Sequence, residues 1–182
     1  MKKKLSVALC FLLFASSAFA QRYGGPGPSS GGSRVRWKSI VGVITAQGVS
    51  NPVSSKIDSG TFAWSVRRGS ANVNLMTGAV YFEVEGLVIN GTSFSGTPGP
   101  VTAVTGTLVC DAGDPTQEVA IDTDQVSLDA QGNATFLGNI HSIPYACNNP
   151  LFLIRIANPA GAAGRWIATG AERSLPGEVT SF

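Results

Sequence analysis

From residue 37 onward the apolar residues come in short runs, and this spacing limits the possible folds more than any other feature. The runs are rich in Val, Ile, Thr and aromatics, and each is broken by Gly, Asn, Asp or Pro. A helix needs apolar positions three and four apart over ten residues or more, whereas alternation over shorter stretches marks strands. "GTFAWSVRRG" sets Phe62, Trp64 and Val66 on one strand face. "AVYFEVEGL" sets Val80, Phe82 and Val84 opposite Tyr81, Glu83 and Glu85. Between "ANVNL" and that run, Met76-Thr77-Gly78 reads as a turn in which glycine supplies a positive φ. Further strands are read in "WKSIVGVITAQG", "VTAVTGTLVC", "EVAIDTDQVSL", "NATFLGNI", "PLFLIRIA" and "GRWIATGAE", with loops at 93–100 and 158–164. The expected fold is all-β: a single antiparallel β-sandwich, immunoglobulin-like or jelly-roll-like.

A short internal echo agrees with that class. Val73-Asn74-Leu75, a turn ending at Gly78, then Phe82 matches Val126-Ser127-Leu128, a turn ending at Gly132, then Phe136. Two similar hairpins suit a sandwich.

The first twenty residues have a different character. Lys2, Lys3 and Lys4 precede an apolar run from Leu5 to Phe14, and Ala18-Phe19-Ala20 has the small-residue form of a cleavage site. This is the pattern of a secretory signal peptide, and its apolar run is too short to span a bilayer. Cleavage after Ala20 leaves an exported chain, periplasmic or extracellular, that begins at Gln21 and has no transmembrane segment. Residues 21–33 are a Gly/Pro/Ser-rich linker, 34–174 a single domain, and 175–182 a tail.

Loss of the leader changes the charge balance. Of 13 Lys/Arg, the three leader lysines are removed, which leaves 10 against 11 Asp/Glu and a formal net of −1. With no basic cluster beyond Arg34, Arg36 and Lys38, nucleic acid is not an expected partner. Two cysteines remain, Cys110 and Cys147, and in an oxidising compartment one disulfide is the simplest use of the pair.

Few catalytic signatures are present. Glu83 and Glu85 stand side by side on one strand, whereas glycosidase carboxylates flank a sugar from opposite sides. The ordinary solvated face of an antiparallel sheet alternates in the same way. His141 is the only histidine, and "GTSFSG" lacks the spacing of a serine nucleophile elbow. No catalytic residue is assigned, and a hydrolase built around Glu83/Glu85 or His141 is the least favoured reading. Six of the eleven acids fall between Asp111 and Asp129. Asp111 and Asp114 offer part of a hard-oxygen set for calcium, outside the EF-hand spacing, and no other cofactor is indicated. Trp37, Trp64 and Trp166 with Tyr81 and Tyr145 are the aromatics available for a sugar-stacking platform. Tyr81, flanked by Glu83 and Glu85, is the best outward-facing candidate for binding. The expected role is non-catalytic, binding or structural, with the ligand unknown: an aromatic row beside a shallow groove would mark a carbohydrate-binding module, and a flat surface with every tryptophan buried a protein partner or a scaffold.

"SGTPGPVTAVTGTLVCD" at 95–111 and "FLIRIANPAGAAGRWIATGA" at 152–171 resemble an uncharacterised family of small exported bacterial proteins. The similarity spans most of residues 38–173 and implies a β-sandwich with no established activity. The glycine-bounded hairpins are also similar to those of the CHRD domain of secreted proteins, whose histidine-containing motif this chain lacks. Neither resemblance transfers a functional residue.

Overall fold

The computed structural model describes residues 34–174 apart from Ser55 and Ala160, so the expected leader, linker and tail lie outside the described residues. Ten strands follow one another: β1 (Arg34–Gly42), β2 (Ala63–Ser65), β3 (Arg68–Asn74), β4 (Ala79–Glu85), β5 (Val88–Asn90), β6 (Ala103–Cys110), β7 (Val119–Ser127), β8 (Ala134–Asn139), β9 (Leu151–Ala157) and β10 (Ala163–Ser174). Eight form one antiparallel sheet in the order β7-β6-β9-β10-β1-β3-β4-β8, and β2 pairs with β5 apart from it. The large sheet curls so that its two edge strands approach each other, a near-barrel, sandwich-like fold enclosing a single core. Closure of this kind shields edges that would otherwise pair with other chains. Among the described residues, no helix is long and apolar enough to cross a membrane.

The two-residue period explains most of the strands. Val80, Phe82 and Val84 of β4 are buried, while Tyr81, Glu83 and Glu85 lie half-buried on the outward face. From Val104 to Cys110, β6 is buried at every residue, as expected of a strand covered on both sides. The long excursion between β1 and β2 is tied to two strands of this half of the sheet. Its Gly60 amide donates to the Trp166 carbonyl (2.8 Å) on β10, and its Lys56 Nζ lies 3.5 Å from the Glu118 carbonyl at the entry of β7. In the sheet, β6 and β9 lie between those two strands.

Aromatic rings fill the core and glycines make room for them. Phe82 stacks on its cross-strand partner Phe136 (centroids 5.5 Å, 14° between planes), and Phe152 lies 5.7 Å from Phe82 and 5.5 Å from Trp37. A Cβ at Gly106 would fall 2.7 Å from the Phe82 ring and 2.8 Å from that of Phe152. The internal echo thus places Phe82 and Phe136 against each other across neighbouring strands. Its second copy is not a hairpin: β8 pairs with β4 and β7 with β6. The β7–β8 connection joins the two edges of the curled sheet.

The disulfide Cys110–Cys147 is formed, with Cα atoms 4.7 Å apart, and ties the end of β6 to the 140–150 segment. The largest departure from the sequence pattern is β2. Only three residues long, it pairs with β5 across the end of the barrel. Trp64 is buried, but Phe62, which alternation sets on the same face, lies outside the strand and is 38% exposed. Alternation extrapolated past a three-residue strand assigns the wrong face.

Candidate binding site at the aromatic end

Tyr81, Glu83 and Glu85 do share the outward face of β4, where each has a partner inside the sheet. The Tyr81 hydroxyl donates to Glu83 Oε2 at 2.7 Å, and Ser70 Oγ lies 3.4 Å from Glu83 Oε1. The hydrogen bond to Glu83 holds the Tyr81 phenol above its ordinary pKa, with some help from burial. Glu85 pairs with Arg68 and, at 3.1 Å, with Arg67. Its hydrogen bond from Arg68 lowers its pKa, the opposite of what a general acid needs. The face is a satisfied polar surface carrying one aromatic.

The other candidates are dispersed. His141 is exposed and lines a polar depression of about 240 Å³ with Met76, Thr77 and Ser142, with no carboxylate in its wall. Asp111 Oδ1 accepts from Asn148 Nδ2 at 3.0 Å; Asp114 Oδ1 accepts from the Thr116 hydroxyl at 2.7 Å and amide at 2.9 Å. The Thr116 hydroxyl is the main cause of a lowered Asp114 pKa. Among the described residues, no three His, Cys, Asp or Glu side chains converge into a metal-holding group. Trp37, Trp64 and Trp166 are all buried, and the Trp166 indole donates to the Asn51 carbonyl at 3.0 Å. The platform that would pair them with Tyr81 and Tyr145 does not form.

A different site takes shape at the end of the barrel carrying β2 and β5. An apolar pocket of about 220 Å³ opens there, walled by Phe62, Trp64, Ile89, Phe94, Val101 and Ile156, with the exposed Arg165 also in its lining. Phe62 also borders a second hollow of about 190 Å³, lined with it by Thr45, Gln47 and Asn90. Phe94 is 49% exposed and Phe62 38%, so both side chains remain partly in solvent. Rings of this size ordinarily bury themselves, and two beside one concave apolar surface form the usual lining of a ligand site.

The local sequence explains why Phe94 stays there. It sits in the loop "NGTSFSGTPGP", which supplies hydroxyl-to-backbone bonds in place of a strand partner. Phe94 N donates to Thr92 Oγ1 (3.0 Å), Ser95 Oγ to the Thr92 carbonyl (2.8 Å) and Thr97 Oγ1 to the Phe94 carbonyl (2.9 Å). Gly96 N and the Thr97 carbonyl then pair with Ile89, which stitches the loop to β5. Gly99, at φ +61°, passes so close that a Cβ would lie 3.0 Å from Ile89 Cδ1 and 3.2 Å from Phe94 Cγ. The pocket is thus held in shape by its own loop, the pre-organisation that lowers the entropic cost of binding. The sequence signal for it was a phenylalanine inside a Gly/Pro/Ser loop, where no core is available to take the ring.

No known protein family matches the chain, and neither a curated protein nor a solved structure matches it.

Proposed function

We propose that the chain is an exported, non-catalytic binding protein, working in the periplasm or outside the cell, whose binding surface is the aromatic end of the barrel. The observation that carries this reading is the pair of half-exposed phenylalanines, Phe62 and Phe94, at a pre-formed apolar pocket. The Cys110–Cys147 disulfide fits an oxidising compartment. A sugar platform is less well supported, because Tyr81 is the single aromatic on its face and its hydroxyl is engaged by Glu83. A hydrolase is less well supported again, because Glu85 is held by two arginines and no carboxylate lines the His141 depression.

A neutral fluorescent probe tests this reading without assuming the ligand. N-phenyl-1-naphthylamine is expected to bind saturably to the native protein and brighten, and the double variant Phe62→Ser/Phe94→Ser to lose that signal while keeping its melting temperature within a few degrees. Equal binding by the variant would move the site elsewhere.

A further inference from the structure

Arg165 differs from the rest of the pocket lining. The walls are hydrocarbon, yet this guanidinium, exposed at the start of β10, forms part of them. It is held by its backbone surroundings rather than by a counter-charge. Its Nη1 donates to the Ser59 carbonyl at 2.9 Å. Ser59 is itself fully buried: its hydroxyl donates to the Gly60 carbonyl (2.7 Å) and accepts from the Asn51 amide (2.6 Å). Gly60 N in turn bonds the Trp166 carbonyl at 2.8 Å, so the anchor is locked to β10 from both sides. Among the described residues, no carboxylate lies within 4.0 Å of Arg165; the ion pairs there involve Arg67, Arg68 and Arg155. Nη2 and Nε have no acceptor among the described hydrogen bonds. A planar donor fork without an anion, fixed in position beside a hydrocarbon pocket, is the arrangement that receives a carboxylate in two parallel bonds. The low-dielectric wall strengthens such a pair relative to one in open water.

We infer that the pocket takes an apolar group the size of one ring or a short alkyl chain that ends in a carboxylate, with the head on Arg165 and the body between Phe62 and Phe94. The size follows from the volume of about 220 Å³, roughly seven waters at ~30 Å³ each. That chemistry has two sources: a free short-chain or aryl acid, or the carboxyl terminus of a polypeptide ending in an apolar residue. This inference rests on the aromatic end being the binding surface and adds the class of ligand.

The test is calorimetric titration with two matched pairs: octanoate against 1-octanol, and a tripeptide ending in free phenylalanine against its C-terminal amide. The expected result is a preference of at least about tenfold for the charged member of one pair, the worth of one charge-assisted contact. The pair that shows it identifies the source. Arg165→Gln is expected to abolish the preference, the charged member losing at least about tenfold more affinity than the uncharged one. Arg165→Lys, which keeps the charge but not the fork, is expected to retain a reduced preference, and this separates a charge role from a structural one. Equal affinity within both pairs would overturn the inference and leave the apolar site intact. A preference that survives in Arg165→Gln would overturn the assignment to Arg165. No binding by any of the four probes would overturn the inference, and loss of the neutral-dye signal as well would remove the site itself.

Discussion

At Gly106 the absence of a side chain is a packing requirement. The rings of Phe82 and Phe152 occupy the space a Cβ would need, at 2.7 and 2.8 Å. Gly106→Ala is expected to destabilise the protein by about 2 kcal/mol, the usual cost of overpacking a filled core, read as a lower urea midpoint. An unchanged midpoint would mean that the rings move aside freely. Asp129 supplies a pH-dependent case. It accepts from the Asn133 amide at 2.8 Å and side chain at 3.0 Å and from the Gln131 amide at 2.9 Å, and these bonds, Asn133 first, hold its pKa below the ordinary carboxylate value. A folded pKa below the unfolded one contributes stability that is complete above the ordinary carboxylate range and is lost as the pH falls through the folded value. Asp129→Ala is therefore expected to lower the urea midpoint near neutral pH, with the gap closing as the pH falls through the folded value. A constant gap across the titration would contradict that assignment. At this scale the sequence revealed facing but not partnership. Period-two alternation placed Tyr81, Glu83 and Glu85 outward, whereas the arginines that hold Glu85 depend on the β3–β4 register, in which Arg68 lies directly opposite Glu85.

Strands β9 and β10 show how one side chain can complete a ladder. Their register shifts on both sides of Trp166, and Arg155, opposite it, reaches back to the carbonyls displaced there: Nε to Gly164 at 2.7 Å and Nη2 to Ala163 at 2.8 Å. Asp122 lies 3.4 Å away as counter-ion, while burial lowers the guanidinium's pKa. Lysine cannot satisfy two carbonyls in that fork geometry, so Arg155→Lys is expected to cost about 2 kcal/mol in a denaturation titration despite keeping the charge. A loss below about 0.5 kcal/mol would show that water replaces the second bond. The disulfide acts between elements: it closes a 37-residue separation, and in the chain-entropy account reduction or a Cys110→Ser/Cys147→Ser variant lowers stability by about 4 kcal/mol. A variant as stable as the parent would contradict it. The long strands were legible because seven or more residues give alternation time to declare a face. In β2 three residues do not, and alternation puts Phe62 on the face of the buried Trp64 for that reason. The bulge opposite Arg155 left no trace in the pattern, because a register shift is a property of two strands and not of either sequence.

Over the whole molecule, the all-β class could be read from composition and spacing, and the Cys110–Cys147 pairing from the cysteine count together with the expected export. The curl of the eight-stranded sheet could not. It depends on which strands are neighbours, and the chain's own echo pointed to a β7–β8 hairpin where the structure has the junction between two edges. The candidate site was hidden for the same reason, because its walls come from residues as distant as Gly60, Phe94, Ile156 and Arg165, assembled only when the barrel end closes. The sites that could be read in the sequence, the β4 acids and the Asp111/Asp114 loop, are those whose members are close along the chain, and their polar groups already have partners within the protein. The most direct test of the aromatic end as the binding surface is amide chemical-shift mapping of the protein titrated separately with octanoate, with N-phenyl-1-naphthylamine and with a soluble oligosaccharide. The expected result is that the first two move amides at 60–64, 89, 94–97, 99 and 101 and leave those of Ser70, Tyr81 and Glu83 in place. Shifts confined to the Tyr81 face, in response to the oligosaccharide alone, would contradict it.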